Sequence, residues 1–194
     1  MSATPHDDAI SVALRVAAAV EAAGGTYFVG GSLASSLDGE PRSTNEIDFV
    51  IDLPVGRVAA LAAALGPDFE VDEAMLRDAL LHGTCASVFY LPWVLKVDFF
   101  GNAHGDFDES EFSRRRRVEV RSGASLYVKS PEDTVLRKLA WYQAGGEVSE
   151  RQWRDVQGVL RAHADDLDQS YLDAWSRRLG VEDLLAKARR EALG

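Results

Sequence analysis

Two acidic residues on one predicted strand are the residues of this chain best suited to chemistry. The segment Phe28-Val29-Gly30-Gly31-Ser32 predicts a strand that runs into a small turn, and Glu46-Ile47-Asp48-Phe49 predicts a second strand after thirteen intervening residues. Side chains alternate faces along a strand, so Glu46 and Asp48 point to the same side. Neighbouring carboxylates repel unless a cation lies between them, and backbone N–H groups in the turn could hold phosphate. These are the parts needed to handle a nucleoside triphosphate with a divalent cation.

A third carboxylate lies on a distant predicted strand that spans residues 94–100. Lys96 and Asp98 share one face of that strand, and apolar residues occupy the other. Taken alone, Asp98 would be ordinary decoration of a strand surface. Beside Glu46 and Asp48, it could help to hold two divalent ions, or one ion together with a base for an attacking hydroxyl.

The bulk composition is that of an ordinary globular protein. The chain has 194 residues, of which 46% are hydrophobic and 27% charged. One domain is the default for this length, and the length also allows one domain with a small helical appendage. No apolar run approaches the roughly 20 residues of a membrane-spanning helix, and the polar, acidic segment Met1 to Asp8 does not resemble a signal peptide. Cys85 is the single cysteine, which excludes a disulfide framework and a thiolate zinc site. We therefore expect a cytoplasmic protein without membrane contact.

The charge is unevenly distributed. The net charge is −10, which argues against simple electrostatic binding of nucleic acid. Residues 1–113 carry 18 acidic against 5 basic residues, whereas residues 114–194 carry 13 against 16. The basic excess begins at Arg114-Arg115-Arg116-Arg117, which we interpret first as the solvated flank of a strand or turn. The alternative is a contact for the phosphates of a nucleotide or nucleic acid.

The pattern of the remaining segments predicts an α/β part followed by helices. Thr4-Pro5 predicts the start of a helix, and Ser32 could cap a short helix. Pro54 predicts the start of another helix, Asp72 predicts the cap of the next one, and residues 102–113 read as a polar loop. Two adjacent strands within residues 84–100 favour a mixed or antiparallel sheet over a doubly wound one. Ser130-Pro131 predicts the first helix of the second part. We therefore expect an α/β core over residues 1–129 and a C-terminal helical region, packed on the core, over residues 130–194.

The ordered set of motifs resembles the nucleotidyltransferase superfamily, whose members share the DNA polymerase β-like fold. The motifs are apolar-Gly-Gly-Ser, then acid-apolar-acid-apolar, then a distant apolar-Asp-apolar strand; Arg42-Ser43-Thr44 also resembles a segment that commonly precedes the acids in bacterial members. The resemblance implies an α/β (α+β) fold with a mixed sheet flanked by helices, and transfer of a nucleoside monophosphate from an NTP.

The same resemblance implies roles for individual residues. Gly31, Ser32 and Arg42 would hold the triphosphate. Glu46 and Asp48 would bind Mg²⁺, although Asp is more frequent than Glu at the first of these positions. Asp98 would bind the metal and help to deprotonate the acceptor.

The second half of the chain resembles the helical region of the AbiEii-type nucleotidyltransferases, which are toxins of bacterial abortive-infection and toxin–antitoxin pairs. The matching segments are Ser130-Pro131-Glu132-Asp133, Lys138-Leu139 and Arg154-Asp155. The resemblance implies that Lys138 faces the nucleotide phosphates and that Asp155 supports it, with an antitoxin protein as partner. An ordinary ion pair between two helices is an equally good interpretation of Lys138 and Asp155.

Several functions remain open from the sequence. The acceptor could be a tRNA, a protein side chain or a small molecule such as an aminoglycoside, and the acidic chain suits a small or protein acceptor better than a large RNA. One alternative is a non-catalytic nucleotide-binding or interaction module that keeps the fold. Another is a protein-binding role for the helical tail, with Trp175 at the interface.

Overall fold

The computed structural model describes residues 8–39 and 46–194. Contacts divide the chain into two compact units. The sheet unit comprises residues up to Gly30 together with the segment up to Val128 that resumes at residue 46. The helical unit comprises Gly31 to residue 39 together with Lys129–Gly194. The predicted domains, 1–129 and 130–194, stay a prediction.

The described residues form seven strands and nine α-helices. The strands are β1 Thr26–Val29, β2 Glu46–Asp52, β3 Phe69–Glu70, β4 Cys85–Tyr90, β5 Leu95–Gly101, β6 Arg116–Arg121 and β7 Ala124–Val128. The helices are α1 Ala9–Ala22, α2 Gly31–Asp38, α3 Val58–Leu65, α4 Glu73–His82, α5 Asp106–Arg114, α6 Pro131–Ala144, α7 Glu150–Ala162, α8 Gln169–Leu179 and α9 Glu182–Leu193. None of these helices is long and apolar enough to cross a membrane.

All seven strands belong to one sheet in the sheet unit. Their order is β3-β4-β5-β2-β1-β7-β6. The pairs β2–β5 and β1–β7 are parallel, and the other four pairs are antiparallel. The sheet is therefore mixed, which confirms the predicted fold class. The adjacent strands β4 and β5 pair antiparallel across the turn at Pro92, as two neighbouring strands in sequence usually do.

One face of β2 is buried and the other carries its acids. Ile47, Phe49 and Ile51 are fully buried, whereas Glu46 and Asp48 on the opposite face are partly exposed. The Phe49 ring packs against the Phe99 ring of β5, with centroids 5.9 Å apart. Burial of these apolar side chains stabilises the sheet and leaves the carboxylates on the other side.

Two helix starts predicted within the described part of the sheet unit can be compared with the structure: the start of α4 agrees and the start of α3 differs. Asp72 caps α4 as predicted, by accepting hydrogen bonds from the Ala74 and Met75 N–H groups. The helix α1 begins after Asp8, which accepts from the Ser11 N–H group; the start predicted at Thr4-Pro5 lies outside the described residues. Pro54 opens a 3₁₀ turn, Val55–Arg57, before α3 rather than α3 itself.

The polar loop predicted over residues 102–113 is wrong, because the structure has helix α5 there. The segment is rich in acids, but Phe107 and Phe112 are both buried. The Phe112 ring packs edge-on against Phe28 of β1, with centroids 5.2 Å apart. Burial of these two aromatic side chains therefore stabilises a helix, although the polar composition of the segment predicts a loop.

The helical unit combines α2 with the four C-terminal helices. Ser130, Ser149 and Asp168 cap α6, α7 and α8, each by accepting a hydrogen bond from a backbone N–H group in the first turn. The predicted cap at Ser32 is wrong, because α2 already begins at Gly31 and Ser32 lies inside it. The helix α2 packs against α6 and α7.

Candidate functional site

The structure brings the three predicted carboxylates together on neighbouring strands of the sheet unit. In the parallel pair β2–β5, Glu46 lies opposite Lys96, and Asp48 lies opposite Asp98. Positions two residues apart on a strand share a face, so all four side chains belong to one face of the sheet. Sequence alternation predicted each pair separately, and the strand register joins the two pairs.

Lys96 lies between two of the acids. Its ammonium nitrogen is 2.7 Å from Asp98 Oδ2 and 3.6 Å from Glu46 Oε2. The hydrogen bond to Asp98 is the largest influence on Lys96, and it raises the pKa of that ammonium group. The carboxylates therefore already share a cation that belongs to the chain itself.

Ser87 holds the second oxygen of Asp98. It is the register partner of Asp98 on the antiparallel strand β4, and its hydroxyl donates a 2.6 Å hydrogen bond to Asp98 Oδ1. The Asp98 side chain is only 8% exposed. A buried carboxylate with a partner on each oxygen is fixed in one orientation.

The negative character of this face also acts on Cys85. Desolvation, together with the charges of Asp98 and Asp48, raises the pKa of the Cys85 thiol to about 11, and the positive charge of Lys96 opposes this shift. The thiol is therefore protonated at neutral pH and is poorly suited to act as a nucleophile.

The donor chemistry of the three acids fits a hard divalent cation. Carboxylate oxygens are the ligands that Mg²⁺ prefers, and the Lys96 ammonium shows that a positive charge is accommodated between Glu46 and Asp98. In residues 8–39 and 46–194, however, no three His, Cys, Asp or Glu side chains converge into a ready-made metal centre. The acids suit Mg²⁺ in type and register, while an ammonium group lies between two of them.

The predicted triphosphate residues that the structure describes belong to the helical unit. Gly31 opens α2 with a φ of +56°, a left-handed conformation that glycine adopts without strain. Ser32 is buried, and its hydroxyl accepts a 2.9 Å hydrogen bond from Nη2 of Arg151 on α7. Arg42, also predicted to bind the triphosphate, lies outside the described residues.

Lys138 and Asp155 form the predicted pair between α6 and α7. The Lys138 ammonium is 2.9 Å from Asp155 Oδ2, and it also donates to Gln152 Oε1 at 3.1 Å. The two charged side chains are only 6% and 9% exposed. Their contact agrees equally with a phosphate-facing lysine and with a structural ion pair, so their role stays a prediction.

The basic run is partly structural. Arg114 ends α5, and Arg116 begins β6, so the run flanks a helix and a strand. The Arg115 guanidinium lies over the rings of Phe112 and Tyr127, 5.1 and 5.2 Å from their centroids. At least this arginine packs within the sheet unit. A contact between the run and nucleic acid stays a prediction.

Sequence reasoning assigned no role to three residues of these clusters: Lys96, Ser87 and Arg151. The sequence does place Lys96 on the same strand face as Asp98, and this spacing is a signal that could have predicted their contact. Ser87 and Arg151 are brought to their partners by the pairing of β4 with β5 and by the packing of α2 on α7. No local pattern indicates either contact.

Comparison with known proteins identifies the fold. No family model matches the sequence, and no curated protein matches it. The structure is similar to a nucleotidyltransferase-like antigenic protein from Paracoccidioides brasiliensis, with 16% identity and a TM-score of 0.56 over 93% of this chain and 91% of that one. It is also similar to the antibiotic-resistance factor ANT(2″)-Ia in solution, with 14% identity and a TM-score of 0.53 over 95% and 99% of the two chains.

A second structure of ANT(2″)-Ia, in complex with adenylyl-2″-tobramycin, has 14% identity and a TM-score of 0.52 over 88% of this chain and 97% of that one. The chain therefore has a nucleotidyltransferase-like fold. Identities this low establish the fold, and they leave the AbiEii-type subgroup a prediction.

Proposed function

We propose that the chain is a Mg²⁺-dependent nucleotidyltransferase that moves a nucleoside monophosphate from an NTP to an acceptor hydroxyl. One observation carries the proposal: Asp48 lies in register with Asp98, and Glu46 shares their face, in a sheet whose fold is that of nucleotidyltransferases. Lys96 supplies one positive charge among the three carboxylates, so a further cation on this face would reduce the repulsion that remains between them.

In the proposed reaction, the acceptor oxygen forms a bond to the α-phosphorus of the NTP. The bond from that phosphorus to the bridging oxygen of the β-phosphate breaks, and pyrophosphate leaves with the electron pair. Mg²⁺ held by Glu46, Asp48 and Asp98 would supply charge neutralisation at the phosphate oxygens. The acceptor proton passes to an oxygen of Asp98, whose orientation is set by the Ser87 hydroxyl.

We assign triphosphate binding to cationic and polar groups of the helical unit. Lys138 supplies a point charge that Asp155 orients. Arg151 supplies a planar guanidinium group, which suits bidentate contact with phosphate oxygens, and it already donates to the Ser32 hydroxyl. Gly31 and the predicted contact at Arg42 complete the assignment.

For the acceptor we propose first the hydroxyl of a small molecule of the aminoglycoside class. One similar structure contains an adenylylated aminoglycoside, and the net charge of −10 attracts a polycationic acceptor while it repels RNA. The second candidate is a cytoplasmic toxin of the AbiEii type that acts on tRNA and is paired with an antitoxin protein. The excess of 16 basic over 13 acidic residues in residues 114–194 is the observation that favours it.

Transfer of label from α-labelled NTPs tests the proposal. The purified chain is incubated with each NTP and Mg²⁺, and with a panel of aminoglycosides, total RNA or total protein in separate reactions. We expect Asp48→Asn to reduce transfer by about 100-fold or more, because it removes a metal-binding charge. Asp52→Asn is the matched control, since Asp52 is an exposed residue of the same strand and loses the same charge.

The outcome separates the candidates. Label on an aminoglycoside or on RNA, lost in Asp48→Asn and kept in Asp52→Asn, supports the transferase and identifies its acceptor class. Mg²⁺-dependent NTP binding without pyrophosphate release in any reaction would contradict it and would favour a non-catalytic nucleotide-binding module.

A further inference from the structure

Lys96 is a cation built into the carboxylate face of the sheet unit. Its ammonium nitrogen contacts Asp98 Oδ2 at 2.7 Å and lies 3.6 Å from Glu46 Oε2. The strand geometry produces both contacts: Lys96 is two residues from Asp98 on β5 and is the register partner of Glu46 on β2. The contact is therefore set by the backbone of two paired strands.

A divalent cation bound by Glu46 and Asp98 would have to share their carboxylate oxygens with this ammonium group. Each carboxylate that Lys96 neutralises loses part of its attraction for another cation, because two positive charges on one pair of carboxylates repel. The Lys96 side chain is 37% exposed and has a flexible four-carbon stem, so its charged end can turn towards water without disturbing the sheet.

We propose that Lys96 is an internal counter-ion that competes with the divalent cation for Glu46 and Asp98. This inference rests on the proposed function, which places the cation at these acids. In the absence of metal, the ammonium group keeps the carboxylate face neutralised and folded. Metal binding then requires displacement of the ammonium group, which lowers the affinity for the metal and sets the concentration at which the face becomes loaded.

The test is a titration of the full-length chain with Mn²⁺ alone, followed by electron paramagnetic resonance of the free ion. We expect Lys96→Gln and Lys96→Met to bind Mn²⁺ about tenfold more tightly than the unmodified chain, because a half-exposed charge pair is removed. Lys96→Arg keeps the charge and should stay within about twofold of the unmodified chain. Arg77→Gln is the control for net charge, since Arg77 pairs with Glu73 on the surface of α4.

A second readout is the thermal stability of each variant with and without metal. Without metal, Lys96→Gln leaves the carboxylates without this counter-ion, so its melting temperature should be below that of the unmodified chain. Saturating Mn²⁺ should then raise the melting temperature of Lys96→Gln by more than it raises that of the unmodified chain. Circular dichroism establishes that each variant is folded.

The outcomes distinguish this inference from the proposed function. If Mn²⁺ binding is abolished by Asp48→Asn but unchanged or weakened in both neutral Lys96 variants, the inference is overturned while the metal-dependent transferase stands. If neither the unmodified chain nor the neutral variants bind Mn²⁺, both are overturned. Tighter binding in both neutral variants, with Arg77→Gln unchanged, supports the inference.

Discussion

The buried pair of Lys138 and Asp155 gives the sharpest test of whether the helical unit binds nucleotide phosphates or only contains a structural ion pair. Their side chains are 6% and 9% exposed, and the ammonium and carboxylate groups are 2.9 Å apart. Removal of one partner from a buried pair leaves an uncompensated charge and costs about 3–5 kcal/mol of the free energy of unfolding. Gln152 also accepts a hydrogen bond from Lys138, so we expect Asp155→Leu to cost about 3 kcal/mol, at the lower end of that range.

Removal of both charges should be far less costly. In the double variant Lys138→Met/Asp155→Leu, two apolar side chains replace a pair whose mutual attraction largely offsets the cost of its desolvation. We expect the double variant to lie within about 1 kcal/mol of the unmodified chain, far below the sum of the losses in the two single variants, because each single variant leaves one buried charge without its partner. Urea unfolding followed by circular dichroism measures all four proteins of the cycle.

An exposed pair on the same helix is the matched control. Arg154 and Glu150 are 2.8 Å apart, but their side chains are 74% and 83% exposed, so Arg154→Ala should cost less than about 1 kcal/mol. The reasoning is refuted if Asp155→Leu is no more destabilising than Arg154→Ala.

The same double variant separates the two interpretations of the pair. Because it is expected to fold, its affinity for a Mg²⁺–NTP complex can be measured without the confounding effect of unfolding. A phosphate-facing Lys138 predicts a loss of affinity of about tenfold or more, whereas a purely structural pair predicts no change. Isothermal titration calorimetry provides the measurement.

Two further predictions concern the helical unit and the packing of the sheet unit. Arg151→Ala should weaken NTP binding by about tenfold, whereas Arg154→Ala, an equivalent change one turn along α7, should leave it within about twofold; equal effects would contradict a specific role for Arg151. Gly101→Ala should lower the free energy of unfolding by about 1–3 kcal/mol, because the added Cβ would lie 2.7 Å from the Ala79 carbonyl oxygen. At Gly56 an added Cβ has nothing within 4 Å, so Gly56→Ala should change stability by less than about 0.5 kcal/mol in the same urea unfolding assay, and similar losses at both positions would contradict the packing argument.

Local sequence signals determined much of the fold. The alternation of apolar and acidic residues in β2 places Glu46 and Asp48 on one face, and this is a property of the strand alone. Asp72 and Ser130 cap helices where predicted, because a cap requires only a side chain and the N–H groups of the next turn. Such signals involve residues a few positions apart and can be recognised without knowledge of the tertiary fold.

Local sequence signals gave wrong predictions for helix α5 and for the start of α2. The acidic composition of α5 predicts a loop, yet packing of Phe112 against Phe28, far away in sequence, stabilises a helix there. Ser32 fits a capping position by residue type, but α2 begins one residue earlier, at a glycine with a positive φ. For α5, the contact that stabilises the helix is therefore not visible in the segment itself.

The residue types of the candidate site can be read from single segments of the chain, whereas the neighbours of each side chain depend on the pairing of distant strands. That Asp98 lies beside Asp48 follows from the parallel pairing of β2 with β5, two strands separated by β3, α3, α4 and β4 in the chain. The same register brings Lys96 to Glu46, and antiparallel pairing brings Ser87 to Asp98. Strand pairing and register depend on the burial of the whole sheet face, so they are a property of the folded chain and of no single segment.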